Sequence, residues 1–128
     1  MKSLSHLTIK TNHLPAMPYL QSLNLTCESL DESIKNFVQL NYLCINGIYT
    51  NSGWDTFWIN VTALDNLEIL DLSSAYTDEY FDKTLLMYKN QIQQMKSLKK
   101  IIVSNSNEAL FTELQELFPN LEIQYKTE

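Results

Sequence analysis

"LSHLTIKTNHL", residues 4–14, places leucine or isoleucine at its first, fourth, sixth and eleventh positions and asparagine at its ninth. Apolar residues two apart, separated by a polar one, mark a strand buried on one face only. The six-residue opening then recurs. "LQSLNL" (20–25), "LNYLCI" (40–45), "LEILDL" (67–72), "LKKIIV" (98–103) and "FPNLEI" (118–123) all carry apolar residues at places one, four and six. Starts at residues 4, 20, 40, 67, 98 and 118 give uneven spacings of 16, 20, 27, 31 and 20. A unit this small cannot bury its own apolar side, so the pattern predicts a single domain over 1–128 in which successive units stack.

The segments between the hexads read as helices. Phe81, Leu85, Tyr88, Ile92 and Met95 recur at steps of four and three, which predicts one amphipathic helix with Thr77 as N-cap and Asp78 and Glu79 in its first turn. Asn105 with Glu108 is a near capping box for a helix that buries Leu110, Leu114 and Leu117. A shorter helix is expected over Asp31 to Val38. In "GWDTFWINV" (53–61), Trp54, Phe57, Trp58 and Val61 fall at i, i+3, i+4 and i+7. That stripe is read as core rather than as a partner-binding patch, with one tryptophan partly exposed.

Over nearly all its length the chain resembles the leucine-rich repeat superfamily. The resemblance implies an α/β solenoid of about six coils, with short parallel strands on a concave face and helices on the convex face. In the first copy Asn12 stands where the family's asparagine bonds the turning backbone. Later copies depart from that pattern, with Glu28, Ile48, Ala75 and Ser106 at the equivalent places. "LEILDLSSAYTDEYF" (67–81) resembles the cysteine-containing repeat subtype of F-box proteins, with Ala75 in place of its cysteine and Cys27 one place too early to supply it. This likeness implies target recognition in an F-box-type ubiquitin ligase receptor; the F-box itself does not appear in the sequence.

Composition narrows the function classes. Nine basic against fifteen acidic residues give a net charge of −6, which argues against a phosphate-binding surface and hence against nucleic acid as partner. No apolar run approaches the roughly 20 residues that cross a bilayer, and the N-terminus lacks a signal-peptide core. Two cysteines, Cys27 and Cys44, suggest neither a zinc site nor a disulfide framework, so a reduced cytoplasmic or nuclear setting is expected. The sequons at Asn24 and Asn60 are read as chance occurrences. His6 and His13 lack metal-ligand spacing, Cys44 has only Asn24 and Asp71 on adjacent strands, and Gly47 and Gly53 form no phosphate-cradling loop. No catalytic residues, metal, cofactor or small-molecule substrate are expected.

Binding has a natural location. Places three, five and seven of each copy face away from the core and form ladders across a parallel sheet. Place three reads His6, Ser22, Tyr42, Ile69, Lys100, Asn120; place five reads Thr8, Asn24, Cys44, Asp71, Ile102, Glu122. The candidate partner-binding residues are Tyr42, Cys44, Ile69, Asp71, Lys100 and Ile102, an apolar centre with a polar rim suited to a protein partner. The first copy begins within four residues of Met1, so an uncapped first coil is expected to associate through Leu4, Leu7 and Ile9 with a partner or a further domain, while the C-terminal copy reads as a natural end. The alternative function that follows is a structural subunit docked by this edge.

Overall fold

The structure, a computed structural model, describes residues 6–48, 50–75, 79–104 and 108–126. Each hexad leads into a strand: β1 (His6–Lys10), β2 (Ser22–Thr26), β3 (Tyr42–Asn46), β4 (Ile69–Asp71), β5 (Lys100–Ser104) and β6 (Glu122–Lys126). Every strand pairs in parallel with its neighbour in sequence, giving one six-stranded sheet in the order β1 to β6. A 3-10 helix (Glu32–Asn36) and the helices α1 (Asn51–Val61), α2 (Glu79–Met87), α3 (Lys89–Gln93) and α4 (Glu108–Leu117) lie between the strands. The fold is α/β.

Alternation along each strand sets the two faces. Leu7, Leu23, Leu43, Leu70, Ile101 and Ile123 form one continuous row across the sheet, directed at the core. The last member departs from the expected frame, in which Leu121 lies opposite Ile101; Ile123 stands there instead. Phe118-Pro119-Asn120-Leu121 forms a tight turn in which Leu121 N–H donates to the Phe118 carbonyl at 3.0 Å, the bond that Leu40 and Leu67 make to Phe37 and Leu64. Leu121 therefore closes the turn, and the strand starts one residue later. A slip of two residues preserves which side each residue faces, so Ile123 stays inward, whereas Glu122 moves up beside Lys100 and Asn120 leaves the sheet.

Against the inward face packs a layer of helices. Trp54, Phe57, Trp58 and Val61 of α1 are all buried, as the spacing predicts, and both tryptophans are fully so, contrary to the expectation that one would show. Thr50 caps α1, its hydroxyl accepting from Gly53 N–H at 3.0 Å. A Cβ at Gly53 would lie 2.8 Å from the Glu28 carbonyl oxygen, so this helix approaches the preceding segment closely because the residue is glycine. Gly47, just after β3, has φ +92, and a Cβ there would meet the Cys27 carbonyl oxygen at 2.7 Å. The helix predicted from Phe81 to Met95 divides at Tyr88 into α2 and α3. Run straight, it would be about 22 Å long, against about 17 Å for a five-residue strand; the break lets the chain return to β5. Phe81, Leu85, Ile92 and Met95 remain buried on both sides of it. Its N-cap, Thr77, and the other predicted N-cap, Asn105, lie outside the described residues.

Several polar side chains in and around the core are tied down. Asn60 donates from Nδ2 to the Leu30 carbonyl at 2.8 Å, so this sequon asparagine is interior and not a glycan acceptor in the folded chain. Asp31 caps the 3-10 helix at Ser33 N–H, and its other oxygen meets His13 Nδ1 at 3.0 Å. Burial, with Asp31 adding to it, pushes the Cys27 thiol up from its ordinary 9.0 to about 11. A group whose folded value lies above its unfolded one contributes stability below the unfolded value and loses it as pH rises through the folded one. Urea denaturation at successive pH values should therefore show this contribution lost between pH 9 and about 11. Cys27→Ala, though weaker at pH 8, should lose less across that interval; parallel slopes for the two proteins would count against the assignment.

Candidate binding face

The sheet's second face carries places three, five and seven of each copy, and among the described residues no helix packs over it. All-parallel sheets are generally covered on both sides. His6, Thr8 and Lys10 of β1 and Glu122 and Gln124 of β6 are exposed and most outward residues between are half-buried, so the face is accessible. Its first row reads His6, Ser22, Tyr42, Ile69, Lys100, Glu122, and its second Thr8, Asn24, Cys44, Asp71, Ile102, Gln124. All six predicted site residues lie on this face, on the contiguous strands β3, β4 and β5.

At the centre, Tyr42 reaches diagonally from β3 to β4, its hydroxyl donating to Asp71 Oδ2 at 2.7 Å. Cys44, beside Asp71 in the register, is only 5% exposed despite facing outward. Asp71, at 2%, is more enclosed still. Its Oδ1 accepts from Ser73 N–H at 3.0 Å and from the Ser73 hydroxyl at 2.6 Å. An aspartate that captures the amide two residues on makes a local turn, and β4 accordingly ends at Asp71. Partial burial and the bond to Asp71 push the Tyr42 phenol above its ordinary range, keeping it a donor.

Around this clamp, Ile69 and Ile102 are half-buried diagonal neighbours on β4 and β5. Lys100 Nζ lies 3.5 Å from Glu122 Oε2, a pair created by the shifted register of β6 and therefore hidden from the hexad spacing. At the opposite end His6 Nδ1 lies 2.7 Å from the Ser22 hydroxyl. Sequence reasoning named Tyr42 and Asp71 without joining them, and it missed Ser73 as the neighbour of Asp71 and Glu122 as the partner of Lys100. The one signal available for the first was that places three and five on adjacent strands are within reach of a long aromatic side chain.

Among the described residues no group of three or more His, Cys, Asp or Glu side chains is placed to hold a metal, and no helix is long and apolar enough to cross a membrane. Asn12, the one match to the expected asparagine position, accepts from Glu28 N–H at 2.8 Å and so ties the turn after β1 to the turn after β2. No family model matches the chain, and no curated protein matches its sequence.

Proposed function

We propose that this chain is a non-enzymatic, leucine-rich-repeat type interaction module that holds a protein partner on the open face of its sheet. The observation that carries the reading is an all-parallel sheet with one uncovered face whose middle is apolar and held in place. Tyr42 is fixed by Asp71, Ile69 and Ile102 lie beside it, and polar groups surround them. An aromatic anchor with aliphatic neighbours inside a polar rim is the usual make-up of a protein-binding hot spot. A small molecule fits less well, because two clefts among the described residues lie away from the Tyr42 centre of this face, one at its edge lined by Lys10, Asn12 and Gly47 and the other lined by Ile92, Met95 and Phe118. Nucleic acid fits poorly too: the central lysine is paired with Glu122 and the chain is acidic.

Recurrent leucine positions, in-sequence parallel pairing and the Asn12 bond all support the repeat reading. Within it, the Asp71-bearing copy favours target recognition of the F-box receptor kind. The test is paired affinity capture from cell extract, followed by a binding isotherm with the purified partner. Ile69→Asp with Ile102→Asp should weaken that isotherm at least a hundredfold, since central apolar anchors are typically worth 2 kcal/mol or more each. Val38→Asp, on an exposed residue away from the sheet, should leave it unchanged. A partner retained equally by both variants sinks the proposal.

A further inference from the structure

We infer that the outer edge of β1 is a second docking site, which takes an extended segment with an acid at each end of an apolar–polar–apolar core. The inference stands on the edge of the sheet and is independent of the open face. Among the described residues β1 is the first strand of the sheet and pairs with β2 alone. Its inward residues Leu7 and Ile9 are half-buried, whereas Leu23, Leu25, Leu43, Ile45, Leu70, Ile101 and Val103 are exposed by 1% or less. The other edge is better closed, because α4 packs on β6 with Leu110 and Leu114 buried and leaves Ile123 only 8% exposed. Among the described residues, the β1 edge therefore leaves its core residues half-covered and the β6 edge is better closed.

Backbone direction at the uncovered edge follows from the ladder. Thr11 N–H donates to the Thr26 carbonyl at 3.0 Å. In a parallel pair the residues that face a neighbour alternate, so Leu7 and Ile9 direct their amides at β2. His6, Thr8 and Lys10 then direct their N–H and C=O groups outward, ready for strand addition, which draws affinity from main-chain bonds and specificity from alternate side chains. The flanking side chains give the specificity. His6 and Lys10 are both exposed, and among the described residues Lys10 has no ion-pair partner.

A five-residue segment laid on β1 would place its first and last residues beside His6 and Lys10, and its second and fourth beside Leu7 and Ile9. Opposite charges across paired strands stabilise and like charges destabilise, so an acid belongs beside Lys10; at the other end an acid accepts a hydrogen bond from the exposed His6 ring, and apolar residues take the inner places. The pattern reads the same in either strand direction. A second copy of the chain matches less well: β1 paired on itself has no acid to set opposite Lys10.

The test is fluorescence anisotropy of labelled nine-residue peptides on the whole chain. One peptide carries Glu-Val-Thr-Val-Glu between Ser-Ser flanks, and the other has lysines in place of the glutamates. The acidic peptide should bind about tenfold tighter at low salt, with the gap closing as salt rises, and His6→Glu with Lys10→Glu should reverse the order. Thr8→Pro removes only an outward amide, which an edge strand tolerates, and should weaken the acidic peptide at least tenfold. If that variant melts early, N-methylation of alternate peptide amides makes the same cut from the other side, with one set of positions abolishing binding and the other sparing it. Equal binding of the two peptides, or indifference to both N-methylated sets, overturns the proposal. So does light scattering that finds a dimer dissociated by Thr8→Pro, since a second copy would then fill the edge.

Discussion

Trp58→Ala is expected to lower the free energy of unfolding by about 3–5 kcal/mol, a large part of the 5–15 kcal/mol that holds a typical domain. Trp58 is wholly buried on α1, with Phe57 at 4.9 Å and Phe81 at 6.0 Å between ring centroids. Phe81 belongs to α2, so the tryptophan joins two helices that the chain must bring together across β4. Its Nε1–H also donates to the Thr84 hydroxyl at 2.9 Å, while that hydroxyl donates to the Phe81 carbonyl. Alanine removes the rings' packing partner and leaves a cavity lined by residues held from three sides, where collapse is difficult. Trp58→Phe keeps most of the packing and loses the hydrogen bond, so about 1–2 kcal/mol is expected. Urea melts followed by circular dichroism give both numbers. A cost below about 1 kcal/mol for alanine would mean that the α1–α2 contact contributes little to stability.

The hexads made most of the sheet legible because a strand with one buried face needs only alternation, and five of the six copies kept their register. The sixth copy was misread in spite of a visible signal. Phe118-Pro119-Asn120-Leu121 has proline and asparagine at the central places of a turn, and the turn consumed the residues that the hexad frame assigned to a strand. The aromatic stripe of α1 was readable from its spacing, but full burial of both tryptophans depended on Phe81 arriving from another segment. The break at Tyr88 was not readable, since the apolar stripe runs through it unbroken. For the six candidate residues, the strand and the side of the sheet were legible. The bond from Tyr42 to Asp71 was not, because a diagonal reach depends on rotamers that no one-dimensional pattern encodes.

That bond carries the second large prediction. Asp71→Ala should destabilise the chain by about 2–3 kcal/mol, because it removes the acceptor of three donors at once: the Tyr42 hydroxyl, Ser73 N–H and the Ser73 hydroxyl. Asp71→Asn keeps an oxygen for Ser73 and should cost about 1 kcal/mol. Combining Asp71→Ala with Tyr42→Phe isolates the clamp itself, and a coupling energy of about 1.5 kcal/mol is expected for a hydroxyl bonded to a buried carboxyl group. Zero coupling with an undiminished Asp71→Ala effect would assign the aspartate wholly to the Ser73 turn. The distinction reaches function, because Tyr42→Phe leaves a ring of the same size without its anchor. If the clamp orders the binding face, that variant loses partner affinity through a faster dissociation rate, over and above the fall of a few degrees in melting temperature that loss of the bond brings, as expected when a contact residue must be immobilised on binding. If affinity is unmoved, Tyr42 contributes surface area alone, and Ile69 and Ile102 become the residues on which recognition turns.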